Sequence, residues 1–171
     1  MEIKQTPESG RYQFYLDGMR WGSMRYTFGV LCCKAEFSFQ DKKYSLIQKN
    51  QFSKLINVLP IFNMFEFTHY MFYEENVLMG TAKVKSNGHN KMFYRNRIIK
   101  LEYKKLSVTV WGEKGTILGI IEKKPKVEME TSIYEVKCDQ ISIELLFAFF
   151  LSVCTFFRGG NFLAFTRYEL R

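Results

Sequence analysis

Residues able to carry chemistry are few in this chain, and their spacing argues against a catalytic centre. Histidine occurs only as His69 and His89. His69 sits in the aromatic run Phe65-Glu-Phe-Thr-His-Tyr and His89 beside the turn sequence Asn87-Gly88. Two imidazoles so far apart, with no acidic cluster nearby, do not make a metal site. The four cysteines are Cys32, Cys33, Cys138 and Cys154, and no two are spaced as a C-x-x-C pair. A structural zinc is therefore not expected. Cys32 and Cys33 are neighbours, so on a strand they point to opposite faces and do not bridge each other. Glu66, Glu74 and Glu75 read as solvated carboxylates at turns rather than as an acid–base pair. No Gly-x-Ser-x-Gly, phosphate-loop or dinucleotide fingerprint occurs. The expectation is a protein that is not an enzyme and takes no cofactor.

Basic residues carry the stronger signal. The net charge is +8, from 25 Lys and Arg against 17 Asp and Glu. Lys83, Lys85, Lys91, Arg95, Arg97, Lys100, Lys104 and Lys105 fall on adjacent predicted strands around Asn87-Gly88. Strand alternation puts Lys83 and Lys85 on one face, and Arg95 and Arg97 on one face of the partner strand. Cross-strand pairing then gathers Lys83, Lys85, Lys91, Arg95 and Arg97 into a candidate anion-binding or lipid-binding patch. Met92, Phe93 and Tyr94 lie beside these charges, placed to enter a headgroup layer or to pack inward. Nucleic acid competes for the same charges, with Tyr94 and Tyr103 as stacking candidates. No helix-turn-helix, RNP or zinc-finger pattern accompanies them, so nucleic acid is disfavoured.

The elements that must position these residues are mostly strands. At 171 residues, with 47% hydrophobic and 17% aromatic content, the chain fits one domain, 1–171, with ample core material. A hairpin is predicted through Tyr12, Phe14 and Leu16, turning at Asp17-Gly18 and returning through Trp21. A second turn is predicted at Asn87-Gly88, between Ala82–Lys85 and Met92–Tyr94. A third is predicted at Gly112-Glu113-Lys114-Gly115, between Leu106–Trp111 and Thr116–Ile121. Cys33–Phe39, Tyr44–Ile47 and Phe65–Phe72 add strands. Short strands at such spacing imply an antiparallel barrel, closed or nearly so, or a sandwich. The segments Phe14–Gly22, Phe72–Gly80 and Val110–Gly119 share one shape: an apolar strand end, a polar turn, and a glycine within the returning strand. A glycine there marks a bulge or a close approach that helps a sheet curl.

The C-terminal part differs in kind. Ile141 to Phe157 holds thirteen apolar residues among seventeen. A helix is predicted there from about 140 to 158, capped by Asp139 and closed by Arg158-Gly159-Gly160. So apolar a helix is buried in a protein core or in a bilayer. Glu144, Ala148, Ser152 and Thr155 recur at helical spacing as a small or polar stripe, and Phe162–Leu170 alternates like a last strand. Both features favour a helix inside the sheet. The alternative is a membrane anchor in which residues 141–157 span the bilayer. With no apolar leader in the first residues and free thiols, the cytoplasm or its membrane face is the expected location.

The repeated strand–turn–glycine hairpins and the ending Tyr134-Glu-Val-Lys-Cys-Asp-Gln-Ile-Ser-Ile-Glu-Leu-Leu-Phe-Ala-Phe-Phe-Leu resemble the tubby C-terminal-like family. That family includes the phospholipid scramblases and the plant LURP-one-related proteins. The resemblance implies a twelve-stranded antiparallel closed barrel with the hydrophobic helix threaded through its centre. It also implies phosphoinositide-like headgroups as ligands of basic residues on the barrel surface. This chain runs thirteen residues past Arg158, and lacks the scramblases' proline-rich region and cysteine-rich stretch. Lipid scrambling is accordingly not implied. The functional expectation is a cytoplasmic module contacting anionic phospholipid, or a protein partner, through its basic face. A regulatory interaction domain with no lipid role is the remaining class.

Overall fold

The computed structural model describes residues 1–8, 11–27, 32–49, 68–84, 89–125 and 131–159. Twelve strands and one helix make up the described chain: β1 (Glu2–Glu8), β2 (Arg11–Leu16), β3 (Met19–Thr27), β4 (Cys32–Phe39), β5 (Lys42–Lys49), β6 (Thr68–Glu74), β7 (Val77–Val84), β8 (His89–Tyr94), β9 (Arg97–Lys104), β10 (Ser107–Trp111), β11 (Ile117–Lys123), β12 (Ser132–Lys137) and α1 (Ile143–Gly159). Each strand pairs antiparallel with its neighbours in sequence. β1 closes the ring by pairing with β12, Ile3 opposite Tyr134. The closed barrel predicted from the hairpin spacing is present, and the sandwich is not. Closure is tied at its seam by backbone bonds in both directions between Met1 and Val136.

Alternation explains why these segments form strands. On β8, for example, Asn90, Met92 and Tyr94 are buried while Lys91 and Phe93 are exposed. The same period of two continues around the ring, burying Phe14, Met24, Phe37, Leu46, Phe72, Ile99, Val110, Ile121 and Tyr134. Tight turns make the meander possible. Asp17-Gly18, Gln40-Asp41, Glu75-Asn76 and Arg95-Asn96 each place both central residues at positive φ. That geometry matches the twist of the flanking strands, and each pair ends in Gly, Asp or Asn, the residues that tolerate it. The predicted Asp17-Gly18 turn is thus observed, and a short 3₁₀ turn at Glu113–Gly115 joins β10 to β11 as expected.

All three repeated hairpins carry a bulge at the same place. Register shifts fall between Phe14 and Tyr15, between Phe72 and Tyr73, and between Val110 and Trp111. The residue just before each shift lies opposite the repeat's glycine: Phe14 with Gly22, Phe72 with Gly80, Val110 with Gly119. At Gly80 a Cβ atom would sit 2.1 Å from the Phe93 carbonyl oxygen, so no other residue fits without backbone movement.

Helix α1 starts at Ile143, three residues later than the sequence suggests. Ser142, rather than Asp139, is its cap: the Leu145 N–H donates to Ser142 Oγ at 3.2 Å. From Leu145 to Leu151 every residue is at most 1% exposed. Phe147 meets the rings of Phe37, Tyr44, Phe72 and Tyr94, while Phe149 and Phe150 meet Phe14 and Trp21, and Tyr134 meets Phe149. The polar stripe is satisfied locally: Ser152 and Thr155 donate to the carbonyls of Ala148 and Leu151, and Glu144 pairs with Arg97 at 3.6 Å. Among the described residues no helix is long and apolar enough to cross a membrane. The predicted strand Phe162–Leu170 and the residues Phe65–Phe67 lie outside the described residues.

Candidate functional site

Register decides which basic residues meet. The Arg95-Asn96 turn sets Tyr94 opposite Arg97, and counting back from it sets Lys91 opposite Lys100. On the other side of β8, Lys91 lies opposite Lys83 of β7. Three lysines therefore stand directly side by side on the exposed face of β7, β8 and β9. Cβ atoms of directly opposed residues are about 4.5–5.5 Å apart, so the row spans roughly 10 Å. His69 on β6 lies opposite Lys83, and Trp111 on β10 lies opposite Lys100, so the row continues at both ends.

Like charges in direct opposition are unfavourable. Several other lysines of this barrel stand beside acids: Lys34 with Glu36, Lys104 with Glu102, Lys124 with Glu135, Lys137 with Glu122. Lys34 also continues an Arg11–Arg25–Lys34 row of opposed cations, there with Glu36 as a partner. Lys83, Lys91 and Lys100 make no ion pair among the described residues. An anion arriving from outside relieves this repulsion and finds donors already gathered.

The structure splits the rest of the predicted patch. Lys85 lies outside the described residues. Arg95 is in the turn, not on a strand face, and its guanidinium binds Glu74. Lys42 donates to the same carboxylate at 2.6 Å, and the Tyr94 hydroxyl donates to it at 3.4 Å. This carboxylate side chain is only 10% exposed, and the Lys42 hydrogen bond in particular holds it below the usual carboxylate range. Burial pushes the Tyr94 phenol upward. Arg97 pairs with Glu144 on the helix, at the opposite end of β9 from Lys104. Thus Lys83 and Lys91 are brought together as expected, while Arg95 and Arg97 are engaged in holding one end of the barrel. Lys100 is the member that ranking by sequence passed over. Its signal is the Arg95-Asn96 turn, which fixes the pairing, but arginine in a left-handed conformation announces no turn.

A second basic cluster surrounds a shallow depression of about 640 Å³ lined by Lys104, Lys105, Ser107, Lys123 and Lys124. Three of its four lysines are occupied: Lys123 donates to the Phe157 carbonyl of the helix at 3.2 Å, and Lys104 and Lys124 have acidic partners. No group of three or more His, Cys, Asp or Glu comes together among the described residues. Comparison with protein-family models, with curated proteins and with solved structures finds no match to this chain.

Proposed function

We propose that this chain is a non-catalytic binding module of tubby-like architecture, its helix running through the barrel, which engages anionic phospholipid through the Lys83–Lys91–Lys100 row. One observation carries the reading: three directly opposed lysines, exposed and without acidic partners among the described residues. Such a row costs folding energy by itself and regains it when phosphate binds. Each lysine near an anionic membrane surface contributes about 1 kcal/mol, and the sum decays over a Debye length of about 10 Å at moderate salt. The charge of +8 adds long-range attraction of the same sign. The burial of Leu145 to Leu151 against rings from seven strands supports the threaded helix, the feature that the tubby-like resemblance implies. Thiols not joined in disulfides at Cys33, Cys138 and Cys154 fit a cytoplasmic setting at a membrane face.

The test is flotation with vesicles of three parts phosphatidylcholine to one part phosphatidylserine at low and moderate salt. The chain should rise with these vesicles and not with phosphatidylcholine alone. Combined Lys83→Glu, Lys91→Glu and Lys100→Glu should abolish this, while the equal charge change Lys4→Glu, Lys34→Glu and Lys114→Glu should leave most of it. Equal loss in both variants would mean that net charge, not the row, does the binding. A protein partner is the second reading, favoured by exposed apolar side chains beside the row.

A further inference from the structure

Those apolar side chains are themselves ordered by the strand register. One step along the exposed face from the lysines, toward the Arg95-Asn96 turn, lies a second cross-strand row: Ile47 opposite Met71, Met71 opposite Thr81, Thr81 opposite Phe93, and Phe93 opposite Ile98. Beyond the β7 bulge Leu78 adds to it. Phe93 and Ile98 are each 43% exposed and Leu78 48%. Leu106 and Ile117 are exposed too, but singly exposed apolar residues are ordinary, whereas Phe93 and Ile98 are exposed and directly opposed on neighbouring strands and so form a patch. The lysine row borders this strip on one side, and the turn bearing Arg95 and Asn96 borders it on the other. Rows two residues apart on one strand face lie about 7 Å from each other.

A soluble anion or a nucleic-acid strand would use the lysines and leave Ile98 in water. An anionic bilayer uses both rows. Apolar side chains of interfacial proteins enter about 5–10 Å below the headgroups, and lysine stems lie along apolar surface while their ammonium groups reach up to phosphate. Resting on the lipid reading above, we infer that β7, β8 and β9 dock flat on an anionic bilayer, with Phe93, Ile98 and Leu78 inserted at the acyl boundary and the lysine row at the phosphates. Charge complementarity chooses this occupant over a second copy of the chain, because two such faces would bring six lysines together. Phe93 and Ile98 are the residues that convert electrostatic attraction into insertion.

The experiment uses the full chain and the same phosphatidylcholine–phosphatidylserine vesicles. In a Phe93→Trp variant the emission should shift to shorter wavelength and be quenched by lipids brominated on the acyl chain, beyond the response of the parent chain. Combined Phe93→Ser and Ile98→Ser should weaken partitioning about tenfold, given the partial burial each side chain gains, and leave its dependence on salt intact. Both positions are on the exposed face, and unchanged circular dichroism verifies the fold of each variant. Absence of quenching together with undiminished partitioning of the serine variant overturns insertion and leaves the lysine row standing. No binding of the parent chain to anionic vesicles overturns both readings. A parent dimer that the serine variant converts to a monomer makes the strip a protein interface and also overturns insertion.

Discussion

Glu74 shows how a single residue can mislead when read outside its fold. As one of two adjacent acids before a turn, it looks like solvated charge. In the barrel it gathers Lys42, Arg95 and Tyr94 and ties β5, β6 and the β8–β9 turn. Replacing it with Gln should cost about 1–2 kcal/mol, between the small worth of an exposed pair and the larger cost of breaking a buried one. Urea denaturation measures this directly. The pH dependence has a definite sign. A carboxyl whose folded pKa is depressed stabilises the fold above its unfolded value, near 4.3. That contribution is lost as pH falls through the lower folded value. Acid unfolding followed by circular dichroism should therefore steepen below about pH 4, and Glu74→Gln should flatten this limb. Glu135, held down by Lys124, adds to the same trend. The arginine that completes the Glu74 cluster was legible only as a charge. Its role depends on a turn that no residue type signals except Asn96.

Elements were more legible than contacts. Turn chemistry and the period of two are local, so the Asp17-Gly18 hairpin, the strands around Gly112–Gly115 and the three glycine bulges follow from neighbouring residues alone. Helix α1 was legible as an apolar run, but its first residue was not. Asp139 and Ser142 are both good caps, and packing selects Ser142. Register across a longer connection was the least legible. The predicted Asn87-Gly88 turn lies outside the described residues; in the strands on either side Lys83 faces Lys91 rather than Met92, and the row depends on that one-residue choice of register. Gly80 helps to hold that register. Gly80→Ala should cost about 2–3 kcal/mol because its Cβ meets backbone. Gly119→Ala should cost about 1 kcal/mol, since there the obstruction includes movable Leu145 methyls. Chemical denaturation of the two variants should preserve that order, and equal losses would show that the β7–β8 approach is looser than it looks.

The whole molecule is a closed ring around aromatic packing that one helix shares with most of the strands. Its strand pairings join neighbours in sequence except where β1 meets β12. That closure and the helix's contacts with distant strands tie the local hairpins into one folding unit. Phe147→Ala, which removes a ring touching four others, should cost about 3–5 kcal/mol. In the parent chain, fluorescence of Trp21, stacked on Phe150, should be lost together with far-ultraviolet dichroism. Two separate transitions would mean that helix and sheet do not fold as one body. A last consequence follows from the bulged hairpins, which recur every fourth strand around the ring, at β2–β3, β6–β7 and β10–β11. Their backbone has approximate three-fold symmetry, but a single helix has none. The three glycines accordingly meet different neighbours: Gly22 the Phe37 side chain and the Phe150 ring, Gly80 the backbone of β8, Gly119 the Leu145 side chain. Three like hairpins that share one core with an unsymmetrical helix must differ wherever their neighbours differ. They can be alike only where the chain bends, and what they share is accordingly a turn, a bulge and a glycine, and little else.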